Sequence, residues 1–288
     1  MFTEEPSQQL APLPTEHAEP PEVRLDEALQ PARKETWLAA WSSVARAIGI
    51  WVSSVLLLVL VPIAVTVPYL IYRIVKLGPP SPEALTSDKM IVFFTVAGVF
   101  PTHLLTLVVI WLAVSHGARR PFWKTIDFRW PASTTPSMVT MMSVLMALFI
   151  FGVAWGVTYL WGDRKTDLDL MIESSIYTRV VTAFVAVATA PLVEELIYRG
   201  LLYQALEKAA GVAVAVVFVS LLFAGVHVFQ YRNNVAVIAV ITLLSITLTI
   251  ARAVSGSVIP PFIIHLVFNG IQSVLIVLGG FIDKDFLK

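Results

Sequence analysis

The sequence contains no cysteine and few charged residues, and these two shortages exclude whole classes of protein. Without cysteine there is no disulfide framework, no thiolate nucleophile and no thiolate-bound metal. Only 14% of the residues are charged, whereas 57% are hydrophobic and the mean hydropathy is +0.79. This composition is typical of a polytopic helical membrane protein. The formal net charge is zero, so nothing in the composition indicates a nucleic-acid partner.

The first part of the chain differs from the rest in composition. Residues 1–35 carry six prolines and eight acidic against three basic residues, which predicts a disordered acidic, proline-rich tail. We expect residues 36–134 to hold an interfacial helix and the first two transmembrane helices, and residues 135–288 to form the transmembrane core. Apolar residues recur at helical spacing from Trp37 to Ala45. That spacing fits either an interfacial helix or an extension of the first span.

Seven apolar runs follow, and they predict an all-α, polytopic transmembrane bundle of about seven spans. The runs cover roughly residues 48–72, 90–115, 138–161, 179–206, 211–230, 234–252 and 257–279. The loop 116–137 is basic and aromatic, so we expect it at the membrane surface. Its Lys and Arg residues favour an N terminus on the inside of the membrane. The acidic loop 162–177 lacks the glycine turn of a calcium loop and is expected to be solvated.

The fourth run contains adjacent carboxylates, Glu194 and Glu195, followed by Arg199. A carboxylate at bilayer depth costs about 2.5–3.5 kcal/mol, so a chain rarely keeps one without a use for it. Glu195 and Arg199 lie one helical turn apart and are expected to pair, whereas Glu194 points about 100° away and is free for chemistry. Pro191 is expected to bend or loosen the helix. The alternative is a buried ion-pair network that only fixes helix register.

Three histidines also lie in the spans, and two of them have a possible partner four residues away on the same helix face. Phe223 precedes His227 by one turn in the fifth run, so its ring can pack against the imidazole. In the seventh run His265 and Asn269 share a helix face in the same way. His103 in the second run has no partner at helical spacing, and we interpret it as structural.

Two chemistries fit this set of residues, and both hydrolyse a peptide bond inside the membrane. In the first, Glu194 is the general base, His227 holds the water or carries its proton, and His265 and Asn269 donate to the oxyanion. In the second, zinc is bound by Glu and His and acidifies the water. The zincin motif His-Glu-x-x-His is absent. If zinc were present, its ligands would be Glu194, His227 and His265.

Three motifs occur in order on separate predicted helices: Glu194-Glu195-x-x-x-Arg199, Phe223-x-x-x-His227 and His265-x-x-x-Asn269. Over roughly residues 135–280 the chain resembles the CAAX-processing and bacteriocin-processing (CPBP) family, which includes the type II CAAX prenyl endopeptidases. The resemblance implies an intramembrane endopeptidase with Glu194 as base, His227 as its water-binding partner and an oxyanion site of His265 and Asn269. Glu195, Arg199 and Phe223 would support them. Members of this family are often labelled metalloproteases, but the site is also similar to that of a metal-free glutamate protease.

The expected partners are the lipid bilayer and a membrane protein or lipidated peptide as substrate, with no nucleic acid. The expected location is a bacterial plasma membrane, crossed several times. We expect catalysis without a tightly held metal, because two residues at the oxyanion leave too few ligands for zinc. The competing hypotheses are a proton-coupled transporter or channel, and a bacteriocin-immunity scaffold.

Overall fold

The computed structural model describes residues 37–286 except 117 and 163, and within them every regular element is a helix. In chain order the elements are α1 (Trp37–Leu77), α2 (Pro82–Ser87), α3 (Lys89–Ala97), α4 (Val99–Ser115), α5 (Phe122–Thr125), α6 (Pro136–Trp161), α7 (Asp167–Glu173), α8 (Ile176–Ala188), α9 (Ala190–Glu195), a π-helix (Leu196–Leu202), α10 (Tyr203–Ala210), α11 (Val212–Tyr231), α12 (Val235–Ser255) and α13 (Ile259–Phe286). The predicted all-α class is confirmed. The tail predicted for residues 1–35 lies outside the described residues.

Among the described residues, six segments are long and apolar enough to cross a bilayer, and they coincide with six of the seven predicted runs. They are Ala39–Leu77, Lys89–Ser115, Pro136–Trp161, Ile176–Ala210, Val235–Ser255 and Ile259–Gly279. The remaining run forms α11, whose apolar part, Val212–Val228, is shorter. A span needs about 20 residues, with a range of roughly 17–25, so α11 is at the lower limit. The chain is an integral, multi-pass membrane protein.

The first helix begins well before the predicted apolar run 48–72. Residues 37–47, which the sequence assigned either to an interfacial helix or to an extension of the first span, are the start of the 41-residue helix α1. Val44 and Ala47 are buried in the core beside α4, α10 and α11. Further along α1, Pro62 meets Gly98, where an added Cβ would lie 2.6 Å from the Pro62 Cα. Gly98 therefore lets two spans approach backbone to backbone.

Two buried apolar clusters flank the middle of the bundle. The first surrounds the π-helix and contains Leu196, Leu202 and Phe223. The second joins α6, α12 and α13 and contains Leu248 and Phe268. Phe223 of the first cluster and Phe268 of the second lie in the segments that carry the motifs, so packed helices adjoin the polar motif residues.

Candidate active site

The fourth run is interrupted twice, and the two carboxylates lie between the interruptions. Thr189, with φ −130° and ψ −39°, separates α8 from α9, and Pro191 lies in the first turn of α9. The predicted loosening of this helix is confirmed. The π-helix then begins directly after Glu195, and its last turn is closed by the Tyr203 N–H on the Tyr198 carbonyl. Such π-turns are rare in proteins as a whole, but those that occur are often found at functional sites. Nothing in the local sequence pattern indicated this one.

Glu195 and Arg199 form a fully buried ion pair, as the sequence predicted. Nη1 of Arg199 lies 3.0 Å from Oε1 of Glu195. Nη2 of Arg199 donates to the Ser245 carbonyl at 3.0 Å and lies 3.2 Å from the Ser245 hydroxyl and 3.3 Å from the Thr249 hydroxyl. The guanidinium also lies over the Phe223 ring at 4.8 Å. Ser245 and Thr249, on α12, were missed by sequence reasoning, which assigned no site residue to the sixth run.

His265 connects the two glutamates across the bundle. Its Nδ1 lies 2.8 Å from Oε1 of Glu195, and its Nε2 lies 3.8 Å from Oε2 of Glu194. A carboxylate paired with Arg199 accepts hydrogen bonds, so Nδ1 carries the hydrogen and Nε2 faces Glu194. Glu194 keeps 23% of its side-chain exposure, whereas Glu195 is fully buried. The two carboxylates therefore differ in environment as the sequence predicted, with Glu194 the more accessible.

His227 is oriented by its own helix. Its Nδ1 lies 2.8 Å from the Phe223 carbonyl, which can only accept, so Nδ1 donates and Nε2 of a neutral ring is left as an acceptor. The imidazole stacks on the Phe223 ring at 4.8 Å, which confirms the predicted packing. The same ring contacts His265 at 5.9 Å and Tyr198 at 5.1 Å, both edge-on. Phe223 thus brings α11 together with α13 and the π-helix, which belong to the three runs that carry the motifs.

Two polar side chains from other helices bind at the break around Thr189. Nδ2 of Asn269 donates to the Ala186 carbonyl at 3.0 Å, in the last turn of α8, where carbonyls lack partners within the helix. One amide hydrogen of Asn269 remains for the predicted oxyanion role. Nδ1 of the buried His103 lies 2.7 Å from the Thr189 hydroxyl. His103 therefore has a partner after all, on a different helix.

The side chains as placed do not fit a zinc ion. Zinc normally takes three protein ligands at about 2.0–2.3 Å. In the part of the chain that the structure describes, no three His, Asp or Glu side chains are grouped so that they could hold one ion. The set Glu194, His227 and His265 is therefore not assembled as a ligand shell, although both histidines have the Nδ1 partner that metal ligands commonly have.

Comparison with known protein families identifies a similarity in the segment that carries the three motifs. Residues 176–271 match the family model described as type II CAAX prenyl endopeptidase Rce1-like. The matched segment contains all three motifs, from Glu194 to Asn269. Searches among curated proteins and among solved structures gave no match. Residues 176–271, one third of the chain, are therefore similar to the Rce1-like type II CAAX prenyl endopeptidases, a family of membrane-embedded proteases.

Proposed function

We propose that the protein is an intramembrane endopeptidase that hydrolyses a peptide bond of a membrane-associated or lipidated protein or peptide. One observation carries this proposal. His265, fixed through Nδ1 by the buried Glu195, presents Nε2 to the more accessible Glu194 at 3.8 Å within the segment that matches the family. This distance is too long for a direct hydrogen bond, and a water molecule that lies beside the pair can hydrogen-bond to both groups.

The charges in the site indicate how the proton is held. Two carboxylates, Glu194 and Glu195, face one guanidinium, Arg199, so the ionised cluster carries one excess negative charge. An uncompensated charge is expensive inside a membrane. One proton shared between Glu194 and His265 removes the excess. With the proton on His265, the cluster is neutral and Glu194 stays ionised as a general base.

In this protonation state each residue has a defined task. Glu194 takes a proton from water as the water oxygen attacks the scissile carbonyl carbon, and it then passes that proton to the leaving amine. Nε2–H of His265 and the second amide hydrogen of Asn269 donate to the oxyanion. Nε2 of His227 accepts a hydrogen bond that orients the water. No step requires a group that the chain does not contain.

The decisive variant is Glu194→Gln, which keeps the side-chain shape and removes the base. We expect cleavage of a fluorogenic, farnesylated peptide ending in a CAAX sequence to fall on the order of 100- to 10,000-fold. Glu173→Gln is the matched control, because Glu173 is exposed and pairs only with Lys165 among the contacts seen. A Glu194→Gln protein that cleaves normally would overturn the proposal. Lost proton conductance without any cleavage by the wild type would indicate a proton relay, and retained partner binding alone would indicate a scaffold.

The natural substrate can be found by comparing cells that carry the wild type with cells that carry Glu194→Ala. We propose a bacterial plasma membrane as the setting. Membrane proteomics should reveal a protein or peptide that stays uncut in the variant. A substrate with no lipid and no membrane segment would contradict the proposed substrate class.

A further inference from the structure

A short segment between α5 and α6 reaches into the bundle beside the π-helix. Ile126 is only 1% exposed, and its Cβ would lie 3.5 Å from a Cβ added at Gly200. The next residue, Asp127, has a left-handed backbone with φ 56°, and its carbonyl accepts the N–H of Val258 just before α13. A left-handed residue other than glycine persists where the surroundings hold it. The loop is therefore fixed to the bundle at Asp127.

The Asp127 carboxylate has two cationic neighbours in different environments. Oδ2 accepts from Nη2 of Arg252 at 2.9 Å and from Nε2 of Gln204 at 3.0 Å. Oδ1 lies 3.5 Å from Nε of Arg129. The Arg252 side chain is 3% exposed and that of Arg129 is 58% exposed. The Asp127 side chain is itself 23% exposed, so the burial of Arg252 is what makes this pair less screened by solvent than the pair with Arg129.

Arg252 transmits this contact to the π-helix. Its Nε donates to the Arg199 carbonyl at 3.0 Å, and its guanidinium lies 5.1 Å from the centre of the Tyr203 ring. The Arg199 carbonyl directly follows the Tyr198 carbonyl, which accepts the π-type bond that closes the last turn. A buried donor at this point fixes where the π-turn ends and the α-helix resumes. The side chain of the same Arg199 holds Glu195, and Glu195 holds His265.

We propose that Asp127 and Arg252 are positioning residues for the peptidase site. They hold the Arg199 carbonyl and so the register of the π-helix that places Glu195 against Nδ1 of His265. The kinetic consequence of this inference rests on the proposed function, whereas its structural consequence at His265 does not.

The kinetic test uses Asp127→Asn, Arg252→Gln and the double variant, with Arg129→Gln as the matched control that removes the exposed cation from the same carboxylate. With the farnesylated CAAX peptide as substrate, we expect kcat of each single variant to fall on the order of 10- to 100-fold at nearly constant KM, because a misplacement of about 1 Å can cost about 100-fold. The kcat of the double variant should be no lower than that of the less active single variant, because both substitutions break the same connection from Asp127 through Arg252 to the Arg199 carbonyl. Arg129→Gln should match the wild type.

A spectroscopic readout separates this inference from the proposed function. In ¹⁵N-histidine-labelled protein, the imidazole resonance of His265, assigned by its loss in His265→Asn, should shift in Asp127→Asn and Arg252→Gln but not in Arg129→Gln. Asp127→Asn preserves side-chain shape, and only material that elutes as a folded monodisperse species is compared. An unchanged His265 resonance in Asp127→Asn would overturn the positioning role, even if the peptide is cleaved. A shifted resonance supports it, even if the wild type cleaves nothing.

Discussion

At the residue scale, Glu195 is the side chain on which the geometry of the site depends. Its Oε1 serves both Arg199 and His265, at 3.0 and 2.8 Å. Three helices, α9, α12 and α13, are connected through this carboxylate and the guanidinium that neutralises it. A carboxylate that orients an imidazole also selects its tautomer, so a change at Glu195 alters chemistry as well as packing.

Removal of Arg199 tests this dependence. Arg199→Ala leaves the Glu195 carboxylate buried without its cation, which costs about 3–5 kcal/mol. We expect a lower folded yield, a lower thermal unfolding midpoint in detergent, and lost activity. Arg232→Ala is the control, because Arg232 pairs with Asp167 at 3.3 Å on the exposed surface. Normal yield and normal activity in Arg199→Ala would remove the supporting role.

The donor set also predicts the response to chelators. Among the described residues no three His, Asp or Glu side chains are grouped around one point, and one amide hydrogen of Asn269 is bound by the Ala186 carbonyl. We expect purified protein to contain no stoichiometric zinc and to keep its activity after chelation and dialysis. Elemental analysis beside the peptide assay checks this. Activity lost on chelation and restored by zinc would make His265 a ligand and overturn the metal-free mechanism.

At the element scale, the breaks in the helices decide where polar groups can lie. The carbonyls in the last turn of α8 lack partners within that helix. At this break Asn269 donates to the Ala186 carbonyl, and His103 binds the Thr189 side chain. The π-helix similarly receives Arg252 at the Arg199 carbonyl. Irregular backbone at membrane depth is tolerated where the surrounding protein satisfies it.

Outside the spans, the start of α3 offers a prediction about pH. Although burial tends to raise it, the pKa of Asp88 is lowered by hydrogen bonds from the Ile91 N–H, from Arg73 at 2.9 Å and from the Met90 N–H. A lowered folded-state pKa means that this stabilisation is present above the unfolded value of about 3.9 and is lost as pH falls. Asp88→Asn keeps the helix cap and loses the ion pair.

We therefore expect Asp88→Asn to unfold at a lower temperature than the wild type near pH 7. The difference should begin to shrink as the pH falls below about 4, where the carboxyl of the unfolded chain takes up protons, and it should be lost as the pH falls through the lowered pKa of folded Asp88. Asp88→Ala, which also loses the helix cap, should cost about a further 0.5–2 kcal/mol. Thermal melts of the purified protein at several pH values measure both effects. A difference that stays constant with pH would show that the ion pair contributes nothing.

At the scale of the whole molecule, α11 decides the number of crossings. It has 20 residues, which at 1.5 Å each give about 30 Å, the thickness of the hydrocarbon core. With seven crossings and the basic loop 116–137 inside, position 208 faces the inside and position 232 the outside.

This topology is directly testable because the chain has no cysteine of its own. We expect a membrane-impermeant maleimide to label Arg232→Cys in intact cells and Lys208→Cys only after permeabilisation. Labelling of both positions from the same side would show that α11 does not cross the membrane. Labelling of Lys208→Cys alone in intact cells would reverse the orientation and leave the crossing intact.

Contacts between residues close in sequence were predictable from helical spacing. The pair Glu195–Arg199 and the stacking of His227 on Phe223 each join residues four apart, where helix geometry alone places side chains together. The interruption before Glu194 followed in the same way from Pro191, whose ring cannot continue a regular helix. Length and hydropathy were enough for the spans, because the bilayer sets the helix length.

By itself, then, the sequence determined the membrane class, the helical runs and the side chains that share a helix face. The tertiary structure alone decided that His265 binds Glu195, that Asn269 binds the Ala186 carbonyl, that His103 reaches Thr189 and that α12 supplies Ser245 and Thr249. These contacts join residues on different helices. Their formation depends on how helices pack through shape, small residues and cross-helix hydrogen bonds, which hydropathy and helical periodicity do not report.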